Sequence, residues 1–249
     1  MNPLEQNLCD HLAYLKLYYT REHFQRLADQ AAREQWPYIQ YLGHMIEGEA
    51  LGRQDRMNQR RLREAHFPMI KTLDQFDWSW PKKINRAQVQ NLFRMAWVSD
   101  KVNVVLLGPC GVGKTHLATA LAHQACLRGH HVLFTTAVDI INSLAAAQSL
   151  GRLKSELKRY LSPAVLVLDE VGYLPIDKAG ADLLFQVFSQ RYERGSLLIT
   201  TNQPYKHWAK IFNNDATVTS AVLDRLLHHA ETVVIEGTSF RMKDRLSEE

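Results

Sequence analysis

Val104-Val-Leu-Leu-Gly108-Pro-Cys110-Gly111-Val-Gly113-Lys114-Thr115-His116-Leu-Ala-Thr-Ala-Leu121 decides the fold of this 249-residue chain. Gly108 to Thr115 fits G-x-x-x-x-G-K-[ST], a loop that wraps phosphate groups. Four fixed positions are a short pattern, and the flanks give it weight. An apolar run suited to a buried parallel strand, Val104–Leu107, enters the loop, and Leu117, Ala118 and Leu121 leave it at helical spacing. Glycines let the backbone turn so that successive N–H groups face inward, and the helix start adds partial positive charge at the same point. Gly108, Pro109, Cys110, Gly111, Val112, Gly113, Lys114, Thr115 and His116 are therefore expected to hold a nucleotide. Lys114 would reach its β and γ phosphates, and the Thr115 hydroxyl would bind Mg²⁺.

Outward from this loop, helices alternate with short apolar strands. The pattern predicts helices over Ala87–Trp97 and Thr115–Arg128. Strands are expected at Val102–Leu107, His131–Thr136, Ala164–Leu168, Leu197–Thr201 and Thr232–Ile235. Such alternation implies an α/β fold, a five-stranded parallel sheet with helices on both faces.

Three further places carry chemistry. Ala164-Val-Leu-Val-Leu168-Asp169-Glu170 is an apolar strand that ends in two carboxylates, where open α/β sheets bind their ligands. Asp169 is expected to bind the nucleotide and support Mg²⁺, and Glu170 to orient and deprotonate the attacking water. Leu197-Leu-Ile-Thr200-Thr201-Asn202 ends in an amide that could hold that water opposite Glu170; Asn is also common in turns. Arg225, in Ala221-Val-Leu-Asp224-Arg225, could stabilise transition-state charge from a neighbouring subunit. It reads equally as an ion-pair partner of Asp224 or a surface residue, and spacing does not choose.

The first third of the chain differs. Residues 4–66 show three- and four-residue spacings (Leu12, Leu15, Tyr19; Leu42, Met45, Ile46, Glu49) with no strand-like alternation. Pro37 and the glycines at 43, 48 and 52 are expected to divide them into two or three helices. An aromatic-rich connector, Leu73-Asp-Gln-Phe-Asp-Trp-Ser-Trp-Pro81, follows. The expected domains are 1–75, helical with its connector, and 76–249. The apolar share of 46% and charged share of 22% are ordinary for a globular protein. No apolar run is long enough for a membrane helix. The opening residues carry neither a basic nor an apolar leader region. Cys9, Cys110 and Cys126 give neither a metal motif nor a disulfide framework. A cytoplasmic location is expected.

Beyond the phosphate loop, four stretches resemble one family: Arg61-Leu-Arg-Glu-Ala-His-Phe-Pro-Met-Ile-Lys-Thr-Leu-Asp-Gln-Phe-Asp-Trp78, Leu168-Asp-Glu-Val-Gly-Tyr-Leu-Pro175, Ile199-Thr-Thr-Asn-Gln-Pro204 and Leu223-Asp-Arg-Leu-Leu-His-His-Ala230. They are similar to the IstB family of AAA+ ATPases, helpers of insertion-sequence transposition related to the helicase loader DnaC. The resemblance implies an ATPase using ATP and Mg²⁺. It implies homo-oligomers on double-stranded DNA, with active sites between subunits, that select targets and stimulate a partner transposase. It makes Asn202 sensor 1 and Arg225 the arginine finger. Few residues follow the fifth strand, so no C-terminal lid is expected, and Arg241 is the candidate for a second sensor.

Charge is unevenly spread. Residues 1–49 hold four Lys/Arg against seven Asp/Glu, and residues 50–71 hold six against two. Arg53, Arg56, Arg60 and Arg63 fall on one helix face and could track a phosphate backbone, although a charged face is as often simply solvated. Lys154, Lys158 and Arg159 form a second candidate, in a helical pair expected over Ile140–Tyr160. No base-reading motif appears, so weak sequence preference is expected. A DnaC-like helicase loader is the alternative reading. A non-catalytic scaffold that only holds ATP ranks last, because Glu170 and Arg225 are both present.

Overall fold

The computed structural model describes residues 3–240; Arg241 lies outside them. The chain divides into two compact units, 1–60 and 61–249.

In the first unit, α1 (Pro3–Tyr14) and α2 (Tyr18–Arg33) precede α3 (Tyr38–Glu64), which continues past the division. The glycines at 43, 48 and 52 do not break α3 as expected. Gly48 is there for close approach: a Cβ on it would run into the Tyr19 ring. Glu49 is buried and caps the start of α2. Its carboxylate accepts the N–H groups of Tyr19 (2.8 Å) and Thr20 (3.2 Å) and pairs with Arg56 at 3.0 Å. Leu42 and Ile46, two of the residues at that helical spacing, are 48% and 56% exposed.

The second unit continues with β1 (Lys83–Ile84), α4 (Arg86–Leu92), α5 (Ala96–Ser99), β2 (Asn103–Leu107), α6 (Lys114–Leu127) and β3 (Val132–Thr136). Then come α7 (Ala137–Ser149), α8 (Leu153–Leu161), β4 (Val165–Val171), α9 (Lys178–Arg191), β5 (Ser196–Thr201), α10 (Ala216–Leu227) and β6 (Ala230–Glu236). All five expected strands form, in a sheet of order β1-β6-β2-β5-β4-β3. The sheet has six strands, not five. The extra one, β1, runs antiparallel on β6, Lys83 opposite Glu236. Two residues carry no periodic signal, and the pairing alone makes them a strand. The helix expected over Ala87–Trp97 is cut at Met95, whose backbone turns left-handed (φ 66°). The helical pair expected between the second and third predicted strands is α7 and α8, separated at Gly151.

The two faces of the sheet make two cores. Val104 and Leu106 of β2 and Val165 and Val167 of β4 pack with Leu117 and Leu121 of α6. Val105, Leu166 and Leu168 face the other way, onto Ile140 of α7, Leu184 of α9 and Val222 of α10. Successive strand residues point to opposite faces, so a sheet covered on both sides reads as an unbroken apolar run. Each fully buried Leu or Val contributes roughly 1.5–3 kcal/mol. Ala65 and Phe76 are buried in the first of these cores, with Phe67 and Leu73 packed against it. The connector thus belongs to the α/β unit, and the division falls earlier than the expected boundary near 75.

Arg191 and Asn103 fix the edge of the sheet where the strands begin. Arg191, 1% exposed, donates to the carbonyls of Tyr160 (2.8 Å), Pro163 (3.0 Å) and Ser196 (2.8 Å). Burial pushes its pKa down to about 10, so it stays charged at neutral pH. Asn103 donates to the Leu226 carbonyl at 3.0 Å and accepts the Leu197 N–H at 2.9 Å, which ties α10 and β5 to the start of β2.

Candidate functional site

The loop after β2 forms as its glycines require. Gly113 has φ +95°, a conformation that L side chains rarely adopt, and a Cβ there would lie 2.6 Å from the Phe76 ring. Lys114 begins α6, is 4% exposed, and donates from Nζ to the carbonyls of Gly108 (2.8 Å) and Pro109 (2.7 Å). Its ammonium is therefore held over the loop by the loop itself. The first N–H groups of α6 have no partner within the helix and point into the same space. The His116 side chain points elsewhere: Nε2 lies 2.9 Å from the Thr72 carbonyl, and the ring packs edge-on to Phe76. It anchors the connector, and only its backbone is left for a phosphate.

At the end of β4 the two carboxylates separate. Asp169 is buried and accepts a hydrogen bond from the Thr115 hydroxyl, at 3.0 and 3.2 Å from its two oxygens. Thr200, at the end of β5, also donates to Asp169, and its oxygen accepts the Glu170 N–H at 2.9 Å. The β4–β5 register shifts between Leu168 and Val171, and Glu170 has φ 61°. That irregularity turns Glu170 out to solvent while Asp169 stays inside. Adjacent strand residues would face opposite sides in any case. The left-handed step and the Thr200 hydroxyl fix where Glu170 goes. Thr200 is a site residue that the sequence reading missed. Its signal was a hydroxyl at the end of a buried strand, two positions before Asn202.

Asn202 follows β5, the strand between β2 and β4, and so lies between the phosphate loop and the carboxylates. Its Nδ2 is 3.9 Å from the Cys110 sulfur, while Oδ1 is buried without a partner among the described residues. A buried acceptor without a donor is costly, and a water or ligand N–H or O–H would satisfy it. Tyr173 is a second missed residue. Lys114 Nζ stands 5.9 Å from its ring centre. Burial first, then the hydrogen bond with Cys110 and the charges of Glu170 and Asp169, hold the Tyr173 hydroxyl protonated well above the usual tyrosine range.

The residues present fit a magnesium–nucleotide group. The Thr115 hydroxyl and the Asp169 carboxylate are hard oxygen donors on neighbouring elements, the type Mg²⁺ takes alongside phosphate oxygens.

Arg225 is not part of this cluster. It donates to the Ala221 carbonyl at 2.9 Å and lies over the Phe185 ring, and among the described residues it forms no ion pair with Asp224. Its neighbour Leu226 is bonded to Asn103 at the start of β2, whereas the phosphate loop follows the end of β2. At ~3.3 Å per strand residue, ~16 Å of sheet separate the two ends. Arg225 and the loop occupy opposite edges.

The basic candidates are all surface groups. Arg53, Arg56 and Arg60 are exposed in the first unit, and Arg63 in the second. Arg56 is engaged by Glu49 and the Tyr18 ring. Lys154, Lys158 and Arg159 are exposed on α8, Arg159 at 3.4 Å from Glu156. No helix among the described residues is long and apolar enough to cross a membrane.

The family model for IstB-like ATP binding proteins matches residues 10–248. An insertion sequence IS21 ATP-binding protein of Pseudomonas aeruginosa is 40% identical over 234 residues, 94% of this chain and 88% of the relative. Among solved structures, AMPPCP-bound DnaA from Aquifex aeolicus has a TM-score of 0.56 at 22% identity, over 74% of this chain and 56% of that one. The DnaC helicase loader has a TM-score of 0.53 at 23% identity, over 66% of this chain and 96% of that one. These two likenesses are of fold.

Proposed function

We propose, for a chain that belongs to the IstB-like ATP-binding protein family of insertion sequences, that it is a Mg²⁺-dependent ATPase assembling on double-stranded DNA to stimulate a partner transposase. The observation that carries the ATPase reading is the split of the site. Lys114, Thr115, Asp169, Glu170 and Asn202 converge at one edge of the sheet, and Arg225 stands at the other. An Arg225 that takes part in this chemistry would come from a neighbouring subunit.

The chemistry follows from the groups. ATP places its phosphates against the N–H groups of the loop and the start of α6, and its oxygens take Lys114 from the Gly108 and Pro109 carbonyls. Thr115 and Asp169 would hold Mg²⁺, which would supply positive charge to neutralise the phosphates. Glu170, exposed beside the buried Asp169, accepts a proton from the attacking water. Asn202 offers its buried Oδ1 to that water as an acceptor. The neighbour's finger stabilises charge that develops on the transferred phosphoryl group.

The exposed arginines of α3 and the basic face of α8 support a DNA partner read through its phosphates, with weak sequence preference. The insertion-sequence relatives favour a transposase over a replicative helicase as the stimulated enzyme. The test is phosphate release by purified protein with and without duplex DNA, beside strand transfer by the transposase. Glu170→Gln should bind ATP normally, hydrolyse none and keep the DNA-bound assembly. Hydrolysis by Glu170→Gln at the unmodified rate would overturn the site assignment. Absence of any transposase stimulation, with helicase loading instead, would overturn the partner.

A further inference from the structure

At the edge of the sheet remote from the phosphate loop, Glu193, His228 and His229 each bring one ligand atom to within 4.8 Å of the other two. We propose that these three residues form a surface site for a divalent transition-metal cation of the Zn²⁺ class. Nothing in the nucleotide chemistry uses them, and the site does not depend on the function proposed above.

The backbone beneath the cluster is fixed at each corner. Glu193 follows α9 in a left-handed turn (φ 56°), closed by the Arg194 and Gly195 N–H groups on the Arg191 carbonyl at 2.9 and 3.2 Å. His228 ends α10, its N–H on the Asp224 carbonyl at 3.1 Å, and the His229 carbonyl accepts the Asn103 N–H at 2.8 Å. Two helix ends of separate origin, those of α9 and α10, thus meet at one place. Helix C-termini carry partial negative charge and favour cations. Arg225, three residues before His228, is turned back onto Ala221 and the Phe185 ring.

The side chains show the matching support. His228 Nδ1 lies 2.7 Å from the Tyr192 hydroxyl, and the two rings are 5.9 Å apart. With a cation on Nε2, Nδ1 keeps its proton and donates it to the tyrosine oxygen, the arrangement that orients most metal-bound histidines. His229 Nε2 stands 3.8 Å from the Glu193 carboxylate, and the two imidazoles are 4.1 Å apart. Two imidazoles and one carboxylate suit Zn²⁺, Co²⁺ or Ni²⁺ rather than Mg²⁺ or Ca²⁺, which prefer oxygen throughout. The exposed face leaves the remaining positions to water.

The experiment titrates tag-free, chelator-treated protein with CoCl₂, read by visible absorption, and with ZnCl₂ in a non-coordinating buffer, read by calorimetry. One saturable site per chain is expected. His229→Ala or Glu193→Gln should weaken it by more than ~100-fold, and Tyr192→Phe by ~10–100-fold through the lost support of His228. Retained binding of a fluorescent ATP analogue certifies that each variant is folded; Glu193 is exposed, so its amide replacement leaves the core intact. Absence of saturable binding in the unmodified protein overturns the proposal. So does binding that survives both His229→Ala and Glu193→Gln, since other histidines would then carry it.

Discussion

Arg225→Ala tests whether the active site is built by assembly. The mutant keeps the whole phosphate loop, because Arg225 is anchored to α10 and α9 and touches no residue of that loop. It should therefore bind ATP with unchanged affinity. Loss of a finger lowers turnover by ~10³–10⁵-fold, or ~4–7 kcal/mol of transition-state stabilisation. The ~16 Å of β2 between the two edges makes rescue within one chain impossible and rescue between chains specific. Mixing Arg225→Ala with Glu170→Gln creates interfaces in which an intact Glu170 meets a neighbour's intact Arg225. For random head-to-tail assembly that fraction peaks at about a quarter when the two proteins are equal, so activity should rise to about a quarter of the unmodified rate. The assay is phosphate release across mixing ratios, with crosslinking in ATP and DNA to verify co-assembly. The expected curve is a parabola with zero at both ends. Activity that stays flat in co-assembled samples refutes the reasoning.

Thr200→Val keeps the shape of a buried residue but strips the hydroxyl that bridges Asp169 and the Glu170 N–H. It should cost ~1–3 kcal/mol of stability, visible in thermal melts, and reduce turnover more than ATP affinity; equal losses of both would contradict the bridging role. Alkylation of the exposed Cys110 should block ATP binding, and bound ATP should protect it, whereas Cys126 is buried and its thiol is pushed up to about 11. Peptide mapping that finds Cys126 modified first, or Cys110 labelled equally with and without ATP, counts against this. Charge reversal at Arg53, Arg60 and Arg63, with Arg56 left to its Glu49 pair, should weaken DNA binding regardless of sequence. It should also flatten the salt slope by up to ~0.9 for each DNA phosphate that is no longer neutralised. An unchanged slope transfers the DNA face to Lys154, Lys158 and Arg159.

The α/β class and the phosphate loop were legible because both are written locally. A strand covered on both faces is a continuous apolar run, and a loop that turns on Gly111 and Gly113 needs glycine at those places whatever surrounds it. Asp169, Glu170 and Asn202 were legible for a related reason: parallel strands present their ends at one edge, so a polar residue closing an apolar run already has an address. The rest depended on partners far away in sequence. Lys83 and Ile84 are a strand only because β6 pairs with them. Met95 breaks a helix that its neighbours favour, and Gly48 lies inside α3, where it admits the Tyr19 ring. Glu49 is buried because α2 begins beside it. Thr200 acquires its role only when β5 lies beside β4. Arg225 is the plainest case. The sequence left it among a finger, an ion pair and a surface group, and only the path of β2 put it at the edge opposite the loop. Spacing along a chain records distances in residues, whereas catalysis across an interface depends on which edge of the sheet a residue reaches.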